Sequence, residues 1–359
     1  MKKSLMRVLA VVVLLVCAVS PAQAASPSPL MTAYPVPGSP YHVAVEQPGR
    51  IWATLREQNA ISRLVVTSPG VFEVSTFQLP TAPGEPSSEP YDIAFAAGAV
   101  WVTEHAGNKI ARFDPLTEVW TEYPIPTVGS LPTGLVVLPW NPGNPVEVWF
   151  CEKTGNKLGR LLVSESGTGT FTEFPVPIAG AAPESVDAVF RDAVWFTAPG
   201  TGQIVQFQLS RWNELEPGSG FYPVQRGSGS SPSAIRLAAD NQPWFTDPGS
   251  NRLGRYMPGT LTLLVWYPVP TADSELAGLD YAGGYVWFSG KKSNQVGRLA
   301  IIDFEPQWRL ITLPAPGSAP TDIAVDAAGC AWIAASDVGQ VVSWCPPYFR
   351  YSYLPGVYK

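Results

Sequence analysis

Helical signatures are missing from this 359-residue chain. Beyond its N-terminal leader no stretch sustains a 3.6-residue apolar period with caps, which leaves no place for a helical fold. Basic runs are missing too, which argues against nucleic acid and anionic membrane surfaces as partners. There is no Ser-centred elbow, no Gly-rich phosphate loop, no zinc-ligand spacing and no EF-hand pattern. Histidine occurs only twice, at His42 and His105.

Long apolar runs are confined to Val8–Val19. Lys2, Lys3 and Arg7 precede that run, and Ala22-Gln23-Ala24 offers a small-residue cleavage site. The pattern predicts a secretory signal over 1–24 and is too short for a comfortable membrane span. The mature protein is therefore expected to be secreted, periplasmic or extracellular. Removing Lys2, Lys3 and Arg7 leaves 20 basic residues against 29 acidic, a net charge of −9.

What the chain does contain is a repeat. Trp52, Trp101, Trp149, Trp195, Trp244, Trp287 and Trp332 recur at gaps of 49, 48, 46, 49, 43 and 45 residues. The second copy reads PYDIAF (90–95), AVWVTE (99–104), GNKIARF (107–113) and WTEYPIP (120–126). The third reads PTGLVVL, EVWFCE, GNKLGRL and FTEFPVP. Each phrase is a short branched or aromatic run bounded by turn residues, so each copy is four strands. Seven such units, each burying its faces against its neighbours, predict an all-β, seven-bladed β-propeller of four antiparallel strands per blade. Residues 25–31 form a short leader, 32–355 the propeller and 356–359 a tail. The first strands are expected to start near Pro40, Pro90, Pro132, Pro183, Pro232, Leu276 and Pro320. Val43, Ile93, Leu135, Val186, Ile235, Leu279 and Ile323 should be buried.

Asn59, Asn108, Asn156, Gly202, Asn251, Asn294 and Gly339 open the third strands. Only residues that tolerate positive φ occupy this slot, which predicts a left-handed turn position. Cys330 and Cys345 lie equidistant from the expected hairpin centre of blade seven, so they should face each other and close a disulfide in an oxidising compartment. Cys151 sits where sister blades have Thr103, Thr197 and Thr246, as a small buried residue. Blade seven lacks a downstream fourth-strand phrase, leaving AYPVP (33–37) and YSYLP (351–355) as candidates. The N-terminal phrase matches its sisters better and is expected to close the ring.

Phrases such as AVWVTEHAGNKIARF and VWFCEKTGNKLGRL, followed by TEYPIP or TEFPVP, resemble the repeats of the streptogramin B lyase (virginiamycin B lyase) family. The resemblance covers nearly the whole mature chain and implies a seven-bladed propeller. It also implies magnesium-assisted opening of a cyclic depsipeptide by elimination. The slots that resemble the family's two histidines hold Ala277 and Thr321, and those that resemble its carboxylates hold Ala319 and Ser336. None of these side chains can serve as base, acid or metal ligand at neutral pH. No catalytic residue is assigned.

Strand order instead points Tyr41, His42, Tyr91, Asp92, Glu104, His105, Glu152, Glu184, Asp247 and Asp322 toward one rim, as a candidate ligand-binding face. Two functions compete. One is a monomeric, non-catalytic module that binds a small molecule, peptide, glycan or protein. The other is a metal-assisted lyase or hydrolase with a relocated site, for which Mg²⁺ or Ca²⁺ is conceivable. The two histidines lying close together over a channel-facing pocket would favour the second.

Overall fold

The computed structural model describes residues 30–346, apart from 82–86, 139–144, 191–192, 213–218, 225–228 and 259–263. It consists of seven four-stranded antiparallel sheets. Blade one is typical, with strands Pro40–Gln47, Arg50–Leu55, Ala60–Ser68 and Val71–Gln78. Among the described residues the helical turns are four short 3₁₀ segments. Each first strand lies against the first strand of the next blade, and the seventh lies against the first, closing the ring.

Five first strands begin where the sequence places them, at Pro40, Pro90, Pro132, Leu276 and Pro320. In blades four and five the regular strand begins three residues later, at Val186 and Ile235. The backbone bonds persist there, with Thr197 donating to the Ser185 carbonyl and Thr246 to the Ala234 carbonyl. What changes is the ladder: the first strands bulge after the proline, as the register shift between Pro132 and Leu135 shows, and regularity is lost ahead of the bulge. All seven branched residues predicted to be inside are buried.

The seven tryptophans are buried as well, and they pack across the seams between blades. Trp52 meets Phe113 of blade two at 5.8 Å, and Trp149 meets Phe207 of blade four at 5.8 Å. Large rings interdigitating between sheets remove apolar area that no single blade could hide.

Every residue that opens a third strand has positive φ, from 49° at Asn251 to 67° at Gly202. The asparagines have a second role that the turn argument did not reach. Asn108 Nδ2 donates to the carbonyls of Ile125 and Thr127, while its Oδ1 accepts from Ser130 N–H and Oγ–H. Asn156, Asn251 and Asn294 make the same backbone bonds, donating to two carbonyls at the exit of their own blade and accepting an N–H at the entry of the next. The side chain thus sews the connection between blades, satisfying backbone groups that the turn would otherwise strand.

Blade seven is completed by Leu30–Pro35, which pairs with Gln340–Cys345 through Ala33↔Val342 and Tyr34↔Val341. Tyr34 packs on Trp332 of the same blade and edge-on to Phe72 of blade one. The N-terminal phrase therefore closes the ring. The rival phrase at 351–355 lies outside the described residues, as does the predicted signal over 1–24. Cys330 and Cys345 form a disulfide with Cα atoms 4.2 Å apart.

Candidate functional site

The first strands converge on the axis, and their backbones need partners across each seam. A hydroxyl on the second strand supplies one. Thr54 Oγ1 accepts from His42 N–H and donates to the Tyr91 carbonyl. Thr103 accepts from Asp92 and donates to the Thr133 carbonyl, and Thr197 accepts from Ser185 and donates to the Ser233 carbonyl. Blades three and seven lack that hydroxyl, having Cys151 and Ala334. There the first strand compensates: Gly134 N–H donates to the Glu184 carbonyl and Thr133 to the Pro183 carbonyl, and Thr321 donates to the Tyr41 carbonyl. Cys151 is fully buried and its thiol is pushed well up by desolvation, so it behaves as packing volume rather than as a nucleophile.

Carboxylates supply the other seam partner. Asp92 accepts from Ile93 N–H and from Leu135 N–H of the next blade. Asp187 ties to Leu237, Asp280 to Val325 and Asp322 to Val43 in the same way. Burial raises the pKa values of Asp187, Asp280 and Asp322, opposed by Arg236, whose guanidinium shares the channel with them. Gly278 is glycine for lack of room, since a Cβ there would lie 2.5 Å from Asp322 Cα.

Above these ties opens a cavity of about 90 Å³ lined by Tyr41, His42, Tyr91, Asp92, Glu184, Arg236, Ala277, Thr321 and Asp322. The aromatic wall is continuous. Tyr41 and His42 lie 5.2 and 5.1 Å from the Tyr91 ring, and His105 stacks on its other side at 5.2 Å. Arg56 covers Tyr41 and Tyr91 at 5.8 and 5.5 Å while pairing with Glu89. Tyr91 Oη donates to Glu184 Oε1, and Lys153 pairs with Glu184 at 2.6 Å. The Tyr91 phenol is raised well above its ordinary pKa by burial and by Glu184. Both imidazoles hold Nδ1 against a carbonyl, His42 on Tyr91 at 2.7 Å and His105 on Pro132 at 3.0 Å. A carbonyl can only accept, so Nδ1 carries a proton in both rings. Burial lowers the His105 pKa.

Of the ten face residues, Tyr41, His42, Tyr91, Asp92, Glu184 and Asp322 thus share one cavity, and His105 joins through the Tyr91 ring. Glu104, Glu152 and Asp247 do not line it. They end second strands and are fully buried inside the hairpin turns. Asp247 is held by Arg252, Ser230 and Ser231. Among the described residues neither oxygen of Glu104 or Glu152 has a hydrogen-bond partner, and desolvation raises both pKa values to about 8. The first-strand residues reach the axis, whereas residues that end second strands stay at larger radius in the hairpins. The missed residues are Arg56, Lys153 and Arg236, which no motif marked.

The cavity's donor set does not fit a magnesium ion. Both Asp92 oxygens and Asp322 Oδ2 accept backbone N–H groups, and Glu184 is shared between Tyr91 and Lys153. Among the described residues no group of three or more His, Cys, Asp or Glu could hold a metal.

No family model matches the sequence. A virginiamycin B lyase of Nocardia farcinica is 32% identical over 114 residues, which is 32% of this chain and 38% of that protein. The match thus spans less than two-fifths of the relative's length. The virginiamycin B lyase of Staphylococcus aureus superposes with a TM-score of 0.73 at 22% identity, covering 88% of this chain and 98% of that one. A catalytically inactive histidine-to-alanine variant of that enzyme with quinupristin gives 0.72 at 20%, with the same coverage. The extracellular domain of a one-component system from B. thetaiotaomicron gives 0.59 at 12%, covering 85% of this chain and 40% of that one. With seven four-stranded blades closed into a ring, the chain is an all-β seven-bladed propeller, similar in fold to the virginiamycin B lyases.

Proposed function

We propose that this protein is an exported ligand-binding propeller without streptogramin lyase activity, and that it seats a peptide or glycan on the Tyr41–His42–Tyr91–His105 wall. One observation carries the reading. The channel-mouth groups that could do chemistry in the family's slots are absent or engaged, with Thr321 spent on the Tyr41 carbonyl, whereas half-buried aromatic faces remain open beside charged groups. Such faces bind sugar rings and cationic side chains through stacking and cation–π attraction. The disulfide supports export, since such bonds persist in oxidising compartments.

The test is a binding survey of cationic peptides and neutral glycans on the mature protein, alongside Tyr91→Ala. A ligand that loses about tenfold or more in affinity with that variant supports the site. Equal binding by both proteins removes it.

A second reading rests on the imidazoles. His42 and His105 flank one tyrosine, each with Nδ1 held by a carbonyl and Nε2 left for a substrate, an arrangement suited to general acid–base work. A divalent cation would have to displace existing bonds to Asp92, Asp322 or Glu184. Thermal stabilisation by Mg²⁺ or Ca²⁺ that chelator reverses, together with turnover lost in His42→Ala or His105→Ala, would favour this reading.

A further inference from the structure

A different groove lies at the other end of the ring. First strands start at the rim just described, so the turns between first and second strands mark the opposite end. Between blades six and seven those turns border a cavity of about 410 Å³ lined by Tyr285, Trp287, Arg298, Val325 and Asp326. It continues past Tyr285 and Arg298 into a second hollow of about 370 Å³ reaching Arg309.

The argument comes from comparing blades. In blades two, three and five, a third-strand arginine lies over the blade's tryptophan and also meets a carboxylate. Arg112 pairs with Asp114 at 3.9 Å, Arg160 with Glu147 at 2.7 Å and Arg255 with Asp240 at 2.8 Å. Blade six keeps the stack but not the acid. Arg298 lies 4.4 Å from the Tyr285 ring centre and 5.3 Å from that of Trp287, and among the described residues no carboxylate pairs with it. Its cross-strand neighbour is a second arginine, Arg309. Both guanidiniums lie 5.9 Å from the Trp344 ring, and the buried Trp344 Nε1–H has no acceptor among the described residues.

The end of the first strand offers a place for an acid. Blades one and seven have Glu46 and Asp326 there, where each accepts the tryptophan N–H. Blade six has Ala282 at that place, as blade two has Ala96, and in both the tryptophan donates to the backbone carbonyl instead. Asp326 borders the groove, but Trp332, Ala328 and Cys330 take up its oxygens. Like charges directly opposite in a sheet repel, and a buried guanidinium without an oxygen partner is costly. Burial and Arg309 accordingly push the Arg298 pKa down.

We propose that this groove is a second binding site, for a ligand carrying a carboxylate on a six-membered ring. The carboxylate would bridge Arg298 and Arg309, and the ring would lie in the groove beside Tyr285. Arginine forks match carboxylates geometrically, and partial burial strengthens the bond. Uronic acids and aromatic acids share this chemistry. The site is independent of the cavity at the other rim.

The experiment titrates the mature protein with sodium glucuronate and sodium benzoate, at constant ionic strength, against glucose and benzyl alcohol. Calorimetry and tryptophan fluorescence are the readouts. At least one acid should bind, and its neutral analogue should bind about tenfold more weakly or not at all. The preferred acid separates the sugar from the aromatic source. Arg298→Met and Arg309→Gln should each weaken that acid about tenfold. Ala282→Glu, which restores the acid of blades one and seven, should abolish binding and raise the melting temperature. Equal binding of acid and neutral analogue, no binding of either acid, or full binding by Ala282→Glu would overturn the proposal. Should Arg298→Met not fold, the other two variants decide it.

Discussion

The Thr321 hydroxyl donates to the Tyr41 carbonyl at 2.6 Å, joining the last blade to the first. It replaces the second-strand hydroxyl that blade seven lacks, where Ala334 stands. Thr321→Val should therefore cost about 1–3 kcal/mol in urea unfolding, the penalty of a buried carbonyl left unmatched. Ala277→His with Thr321→His should yield no streptogramin B lyase activity, because Ala319 and Ser336 supply no carboxylate and the seam bond is lost as well. Antibiotic turnover well above buffer, by either the natural or the doubly substituted protein, contradicts this.

Ring closure gives the second expectation. Deleting residues 25–37 removes the strand Leu30–Pro35 and exposes the edge of Gln340–Cys345. Bare edges pair between molecules, so the truncated protein should melt far lower and aggregate in light scattering. Deleting 350–359 should do less, and the reverse order would assign closure to the tail.

The third concerns Cys330 and Cys345, which are bonded across the hairpin of blade seven. Opening it by paired serine substitution should cost on the order of 3 kcal/mol in the entropic model, because the loop is short. Mass spectrometry of unreduced protein should find Cys151 as the single free thiol of the mature chain.

Stability should also depend on pH through Glu104 and Glu152. Their folded pKa values, about 8, lie above the ordinary glutamate value of 4.5. The folded state therefore holds protons that the unfolded chain releases from about pH 4.5 upward. Their contribution is best below that point, falls as pH rises toward about 8, and levels off beyond. Neighbouring carboxylates, Glu122 and Glu173, add to the effect. Glu104→Gln and Glu152→Gln should each stabilise the protein at pH 8 by about 1–3 kcal/mol and flatten the pH profile of melting. A pH slope unchanged by both substitutions would show that the two carboxyls ionise freely.

Period and turn chemistry alone determined much of this protein. Seven tryptophans at a near-constant gap can only be buried by seven stacked sheets, and Asn or Gly before each third strand requires a left-handed turn. Cys330 and Cys345 were placed face to face by counting along one hairpin. These are local relations, repeated along the chain, and local relations survive in sequence. Relations across a seam do not, because their partners lie some 40–50 residues apart and belong to different repeats. Asp92 and Asp322 read as site carboxylates, yet their oxygens bind backbone N–H groups of the neighbouring blade. Glu104 and Glu152 read as rim residues, yet the hairpins bury them. Thr321 read only as a slot without the family's histidine, and only the approach of two inner strands turned it into a stand-in for the hydroxyl absent at Ala334. Hydrogen-bond satisfaction is decided by which backbone arrives opposite, and that is a property of the closed ring.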